Sequence, residues 1–129
     1  MADADLNLDL ILEATLNALL RSTTDIQSGD RLIEDYGPDD VAQSVKDTLR
    51  EEIEAFVEEH GDDLREALAS GTGYTEDHIG QDIALTRNRH GAGFWDRGLG
   101  SVGTRLTVGA HNLGSFDLYP APDGSVQGG

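Results

Sequence analysis

The sequence predicts an α+β fold: N-terminal acidic helices packed with a small antiparallel sheet, in the order hairpin, helix, hairpin or strand. Three observations carry this expectation. Apolar residues recur every three or four positions between Pro38 and His60, the period of a helix with one face on a core. In the last third of the chain, short alternating segments are separated by Gly-containing turns, as in hairpins. Charge divides along the same line. Residues 1–80 hold 21 acids and 5 bases, a net of −16, whereas residues 81–129 hold 4 of each.

The first helix is expected over residues 6–20, LNLDLILEATLNALL, where Leu8, Leu12, Leu16 and Leu19 or Leu20 share a face. Asp5 or Asn7 suits its N-cap, Asp9 its positive end and Arg21 its negative end. Residues 22–37 read as a connection, with Leu32, Ile33 and Tyr36 as an anchor. Pro38 then opens the clearest helix, because proline at the first helical position loses no hydrogen bond. Val41, Val45, Leu49, Ile53, Phe56 and Val57 form its stripe, and His60-Gly61 reads as its end. Asp62 or Asp63 suits the cap of a short third helix with Leu64, Ala67 and Leu68.

The segment 70–80 reads as a connection, with Thr75 capping one or two turns. Asp82–Arg87 alternates as a strand, 88–91 reads as a hairpin turn shaped by Asn88, Gly91 and Gly93, and Gly93-Phe94-Trp95 as the returning strand. Leu99, Val102, Leu106, Ala110 and Leu113 mark another helix, weakened by Gly100, Gly103 and Gly109. Asp96 suits its cap. Residues 115–120 and 125–127 complete the sheet around the Pro122-Asp123-Gly124 turn. The acidic helical region 1–70 and the compact α+β region 71–129 are expected to fold as one cooperative domain. A length of 129 residues suits one small core.

Composition narrows the function. The chain has no Cys, which excludes a disulfide framework, a thiolate metal site and a Cys nucleophile. No apolar run is long enough to span a bilayer, and no basic-then-apolar leader marks export. A net charge of −16 argues against general double-stranded nucleic-acid binding, which needs excess cations. No phosphate loop, nucleophile elbow, zinc-protease or dinucleotide motif is present, and no metal or cofactor is expected. The acids Glu51, Glu52, Glu54, Glu58 and Glu59 lie off the apolar stripe and form a candidate acidic surface. A solvated face or adaptation to high salt accounts for such acidity without any partner.

Residues 79–98, IGQDIALTRNRHGAGFWDRG, crowd Arg87, Arg89, His90, Trp95, Asp96 and Arg97 together. The segment resembles a string in a group of small uncharacterised proteins of tailed bacteriophages and their prophages. That string runs Gly-His-Asp-Phe-x-Leu-Thr-Arg-Asn-Gly-His-Gly-Ala-Gly-Phe-Trp-Asp-Arg-Gly. Gly80, Asp82, Leu85 to Asn88, and His90 to Gly98 match it, whereas Gln81, Ile83 and Arg89 replace its His, Phe and Gly. The resemblance implies a phage origin, and with it the host cytoplasm, but no mechanism.

Three functional readings follow. The first is a non-catalytic accessory protein whose acidic helices bind or inhibit a cationic host or viral protein. The second is a ligand- or single-stranded nucleic-acid-binding module built from Arg87, Asn88, Arg89, His90, Trp95 and Arg97. The third is a small hydrolase in which His90 transfers protons and Asp96 orients it. A purely structural hairpin accounts for the same residues without any ligand.

Overall fold

A computed structural model describes residues 6–25, 27–90 and 92–129. The cap offered by Asp5 and the turn role given to Gly91 lie outside the described residues. The fold is α+β, with four helices and one two-stranded antiparallel sheet among the described residues. Helix α1 (Leu8–Ser22) starts at Asn7, whose side chain accepts the Leu10 N–H at 3.1 Å. It buries Leu16, Leu19 and Leu20 of the face predicted for it, with Ile11 and the hydroxyl-bearing Thr15 beside them, whereas Leu8 and Leu12 of that face are half-buried. Leu32 is the buried anchor of the following connection, on a single 3-10 turn.

Helix α2 (Gln43–Leu68) carries the long stripe, and Val45, Leu49, Ile53, Phe56 and Val57 are all buried. Pro38 opens a separate 3-10 turn, Pro38–Asp40, rather than the helix itself. The expected stop at His60-Gly61 coincides with a kink that divides α2, where His60 leaves helical geometry (φ −112°, ψ 15°). The helical segment beyond the kink runs to Leu68, where the short third helix is expected, and its Leu64 and Ala67 prolong the buried face.

Helix α3 (Glu76–Arg87) overturns the strand expected over 82–87 and the hairpin built on it. Thr75 caps it by accepting the His78 N–H, while His78 Nδ1 accepts the Thr75 N–H at 3.1 Å. The inward face combines Ile79, Ile83, Asp82, Thr86 and Arg87. Three polar residues on the buried side conceal the helical apolar period and leave an apparent alternation. Gly80 lies where α3 crosses α1. A Cβ there would stand 2.5 Å from both the Ala14 Cβ and the Ile11 carbonyl oxygen. The Thr15 hydroxyl donates to the Gly80 carbonyl at 3.1 Å across this crossing.

The strand expected at Gly93-Phe94-Trp95 is instead a 3-10 turn, Phe94–Asp96. Helix α4 (Ser101–Leu113) follows, preceded by Gly100 and not capped by Asp96. Two of its glycines permit close contacts: Gly103 against the Phe94 carbonyl and Gly109 against the His60 ring. Strands β1 (Leu118–Pro120) and β2 (Val126–Gly128) pair antiparallel, with Tyr119 opposite Gln127. Ala42 donates its N–H to the Val126 carbonyl at 2.9 Å, tying the sheet to the start of α2.

Two apolar clusters fill the interior. One joins Ile11, Ile53, Phe56, Ile79, Ile83, Phe94 and Leu106. The other joins Leu16, Leu19, Leu49, Ala84, Phe116, Leu118 and Val126. Each draws on both the 1–70 and the 71–129 region, so the division near residue 70 is one of charge and not of packing. No helix of the described residues is long and apolar enough to cross a membrane.

Candidate functional site

The polar residues of segment 82–97 are placed by α3 and by the turn that follows it. Asp82 is fully buried, and Arg97 reaches it with a two-pronged pair: Nη2 to Oδ1 at 2.9 Å and Nε to Oδ2 at 3.0 Å. Tyr74 donates its hydroxyl to Asp82 Oδ2 at 2.7 Å, and the Arg97 guanidinium lies 5.8 Å from the Tyr74 ring centre. Burial, and then the Asp82 carboxylate, push the Tyr74 phenol far above its ordinary range. The hydrogen bond to Asp82 holds Arg97 more firmly protonated than usual. Nothing in the sequence singles out Tyr74, which stands in a Gly-containing connection.

Arg87 is also buried. It donates to Glu52 at 2.8 and 3.3 Å, to the Gly114 carbonyl at 2.7 Å and to the Leu113 carbonyl at 3.1 Å. Its guanidinium also covers the Phe116 ring. The two carbonyls belong to the end of α4, where backbone acceptors lack helical partners and a cation is favoured. Asn88 exchanges two hydrogen bonds with the Phe116 backbone, at 2.7 and 3.0 Å. Arg87, Asn88 and Arg97 were candidate binding residues, yet each is occupied in joining α3 to another part of the fold.

The remaining motif residues close the end of α3. Arg89 donates its N–H to the Thr86 carbonyl at 3.0 Å, and His90 donates its N–H to the Leu85 carbonyl at 2.9 Å. This paired closure needs a left-handed residue at position 89, and Arg89 has φ 57°. The Thr86 hydroxyl accepts the Phe94 N–H at 3.3 Å, and Asp96 accepts the Gly93 N–H at 3.2 Å. No hydrogen bond or ion pair joins His90 to Asp96 among the described residues. The side chains of Arg89, His90 and Trp95 are exposed, with Trp95 46% accessible.

Helix α2 presents the acidic candidates in three settings. Glu52 is half-buried on Arg87. Glu59 lies beside His60, in a groove of about 350 Å³ between α2 and α4 lined also by Asp63, Arg105, Val108 and Asn112. The hydrogen bond from Arg105 holds Asp63 below the usual carboxylate range. Glu51, Glu54 and Glu58 are exposed, and with Asp47 they fall on one side of the helix at steps of four, three and four. That side is opposite the buried stripe. Glu54 has Arg50 at 3.9 Å, and neither Glu51 nor Glu58 makes an ion pair among the described residues.

Among the described residues, no three His, Asp or Glu side chains gather as metal ligands would. What the arrangement offers is an exposed anionic stripe on one helix and a small cationic and aromatic platform at the end of another. The chain matches no protein-family model, and neither a curated protein nor a solved structure shows significant similarity to it.

Proposed function

We propose that this chain is a non-catalytic accessory protein that binds a cationic surface of a host or viral protein through the outer side of α2. The observation that carries this reading is the alignment of Asp47, Glu51, Glu54 and Glu58 along one exposed helical side. Carboxylates three and four positions apart repel by a few tenths of a kcal/mol per pair. Among the described residues a cation stands beside Glu54 alone of these four, Arg50 at 3.9 Å, and Asp47 accepts a hydrogen bond from the Gln43 amide. A cationic partner would relieve that repulsion along the whole stripe, and the field would speed encounter at low salt. Within the 82–97 segment Asp82, Arg87, Asn88 and Arg97 serve folding, and no hydrogen bond or ion pair joins His90 to Asp96 among the described residues, which leaves a hydrolase built on that pair without support. The likeness of that segment to phage proteins favours a role in an infected host, with the host cytoplasm as the place of action.

The reading is tested with the triple substitution Glu51→Lys/Glu54→Lys/Glu58→Lys. Partners captured from host lysate are compared with those of a control carrying Asp39→Lys and Asp123→Lys. A partner retained at low salt by the wild type and the control, and lost by the triple variant, is the expected result. Equal retention by all three proteins would refute it.

A further inference from the structure

Three exposed side chains of the motif, those of Arg89, His90 and Trp95, make no hydrogen bond or ion pair among the described residues. Arg89 is the more telling of these. It is the one non-glycine residue with positive φ among the described residues, at 57°. Glycine takes this conformation without steric cost and arginine does not. Strain kept at an exposed position is a pointer to a use for that side chain.

Trp95 is held on a firm base. Phe94 beside it is fully buried, stacked on Phe56 at 6.0 Å between ring centres. The indole rests on Gly93, where a Cβ would stand 2.7 Å from its Cζ3 atom. Thr86 links the two sides of this feature. Its carbonyl takes the Arg89 N–H, and its hydroxyl takes the Phe94 N–H. Arg89, His90 and Trp95 therefore surround the same end of α3. Arg87 and Arg97 are committed to Glu52 and Asp82, which leaves Arg89 as the available guanidinium there.

We propose that this end of α3 binds a nucleoside phosphate, with the base stacked on Trp95 and the phosphate paired with Arg89. His90 supplies a second donor. A fixed, half-exposed indole suits a flat base, and a guanidinium suits a phosphate in two-pronged geometry, an attraction that must outweigh the negative end of the α3 dipole. The ligand is a single nucleotide and not a strand. The chain carries −16 overall, and among the described residues Arg87 and Arg97 are committed elsewhere and cannot offset further phosphates. This site is separate from the acidic side of α2, and its test is independent of the reading above.

Trp95 is the only tryptophan, so intrinsic fluorescence of the full chain reports on the site directly. Adenosine monophosphate, adenosine and a short oligodeoxyadenylate are titrated in turn at low salt. Saturable quenching by the monophosphate is expected, with adenosine about tenfold weaker and the oligonucleotide weaker than the monophosphate. Arg89→Gly is expected to raise the melting temperature while abolishing the preference for monophosphate over adenosine. The higher melting temperature guards against loss of binding through misfolding. Absence of saturable quenching, equal affinity for adenosine, tighter binding of the oligonucleotide, or an unchanged preference in Arg89→Gly would each overturn the proposal.

Discussion

Arg97 and Arg87 turn their guanidinium groups inward, onto Asp82 and Glu52, whereas Glu51 and Glu58 on α2 face solvent and make no ion pair among the described residues. Both regions are rich in charge, but they use it differently. In the 82–97 segment each buried charge meets its counterpart and also hydrogen-bonds to it, the condition under which burial of ions is tolerated. On α2 the charges stay hydrated, and their mutual repulsion is small because water and salt screen it. Substitutions in the first region should therefore read out in stability. Substitutions in the second should read out in association.

The sharpest break of this contrast is Arg97→Met. It strands the fully buried Asp82 carboxylate, and loss of one member of a buried pair costs about 3–5 kcal/mol. Urea unfolding of Arg97→Met, Asp82→Leu and the double variant measures it. The double variant should recover most of what Arg97→Met loses, because a well-packed apolar pair can replace a buried ion pair. If Arg97→Met unfolds like the wild type, the pair contributes little to the fold.

Gly80→Ala comes next. The added methyl meets the Ala14 side chain and the Ile11 carbonyl at 2.5 Å, and both belong to α1. Backbone cannot move aside as a flexible side chain can, so a cost of about 1–3 kcal/mol is expected by thermal denaturation. Gly61→Ala is the control. The nearest atoms there belong to the Arg65 guanidinium, at 3.2 Å, the mobile end of a long side chain. Equal effects of the two substitutions would show that α1 and α3 do not cross tightly at Gly80.

These two positions also show what could be read in the sequence. The α2 stripe, the α4 stripe and the final two strands follow from periodicity and turn residues, because their buried positions are apolar. Helix α3 does not, because Asp82, Thr86 and Arg87 occupy its buried side. Polar residues at core positions erase the apolar period, and tertiary pairing makes them tolerable: Asp82 with Tyr74 and Arg97, Arg87 with Glu52 and the end of α4, Thr86 with the Phe94 N–H. Gly80 reads as a connection for a similar reason: a helix crossing and a turn can both require glycine. Within the candidate site, Arg89, His90 and Trp95 are exposed, whereas Arg87 is buried. The burial of Arg87 could be found only by knowing that α4 ends against it.

Tyr74 gives a test by pH. Its phenol is raised in the fold above the ordinary value of 10.0, so the unfolded chain ionises first. Its contribution is complete below pH 10.0 and is lost as pH rises beyond that value. Tyr74→Phe should cost about 1 kcal/mol at neutral pH, the worth of one hydrogen bond. It should also flatten the alkaline fall in stability. An alkaline limb of the same depth in Tyr74→Phe would assign that loss to another group.

Arg89→Gly acts in the opposite direction. The φ of 57° at this place is one that glycine takes freely. Relief of the arginine strain is worth about 1 kcal/mol, partly offset by the greater freedom of glycine in the unfolded chain. A net gain of about 0.5 kcal/mol is expected in urea, within the range for changes at such positions. A loss of stability would mean that the Arg89 side chain makes a folding contact after all, and would return it to the first region.

The smallest effect belongs to α2, and its smallness is the point. Glu51→Gln and Glu58→Gln each remove one member of the like-charged series at positions 47, 51, 54 and 58. Each should stabilise the fold by about 0.2–0.5 kcal/mol at low salt, the size of a helical charge pair. The gain should vanish near physiological ionic strength, where exposed charges are screened beyond about 8 Å. Parallel urea titrations at low and physiological salt measure this. If either substitution destabilises the fold by more than about 1 kcal/mol, that glutamate has a partner within the protein, and the stripe is less open than its exposure implies. If both are near neutral, selection for stability does not account for the clustering of carboxylates on this side of α2. The field they create would then act on what approaches the protein, not on how it folds.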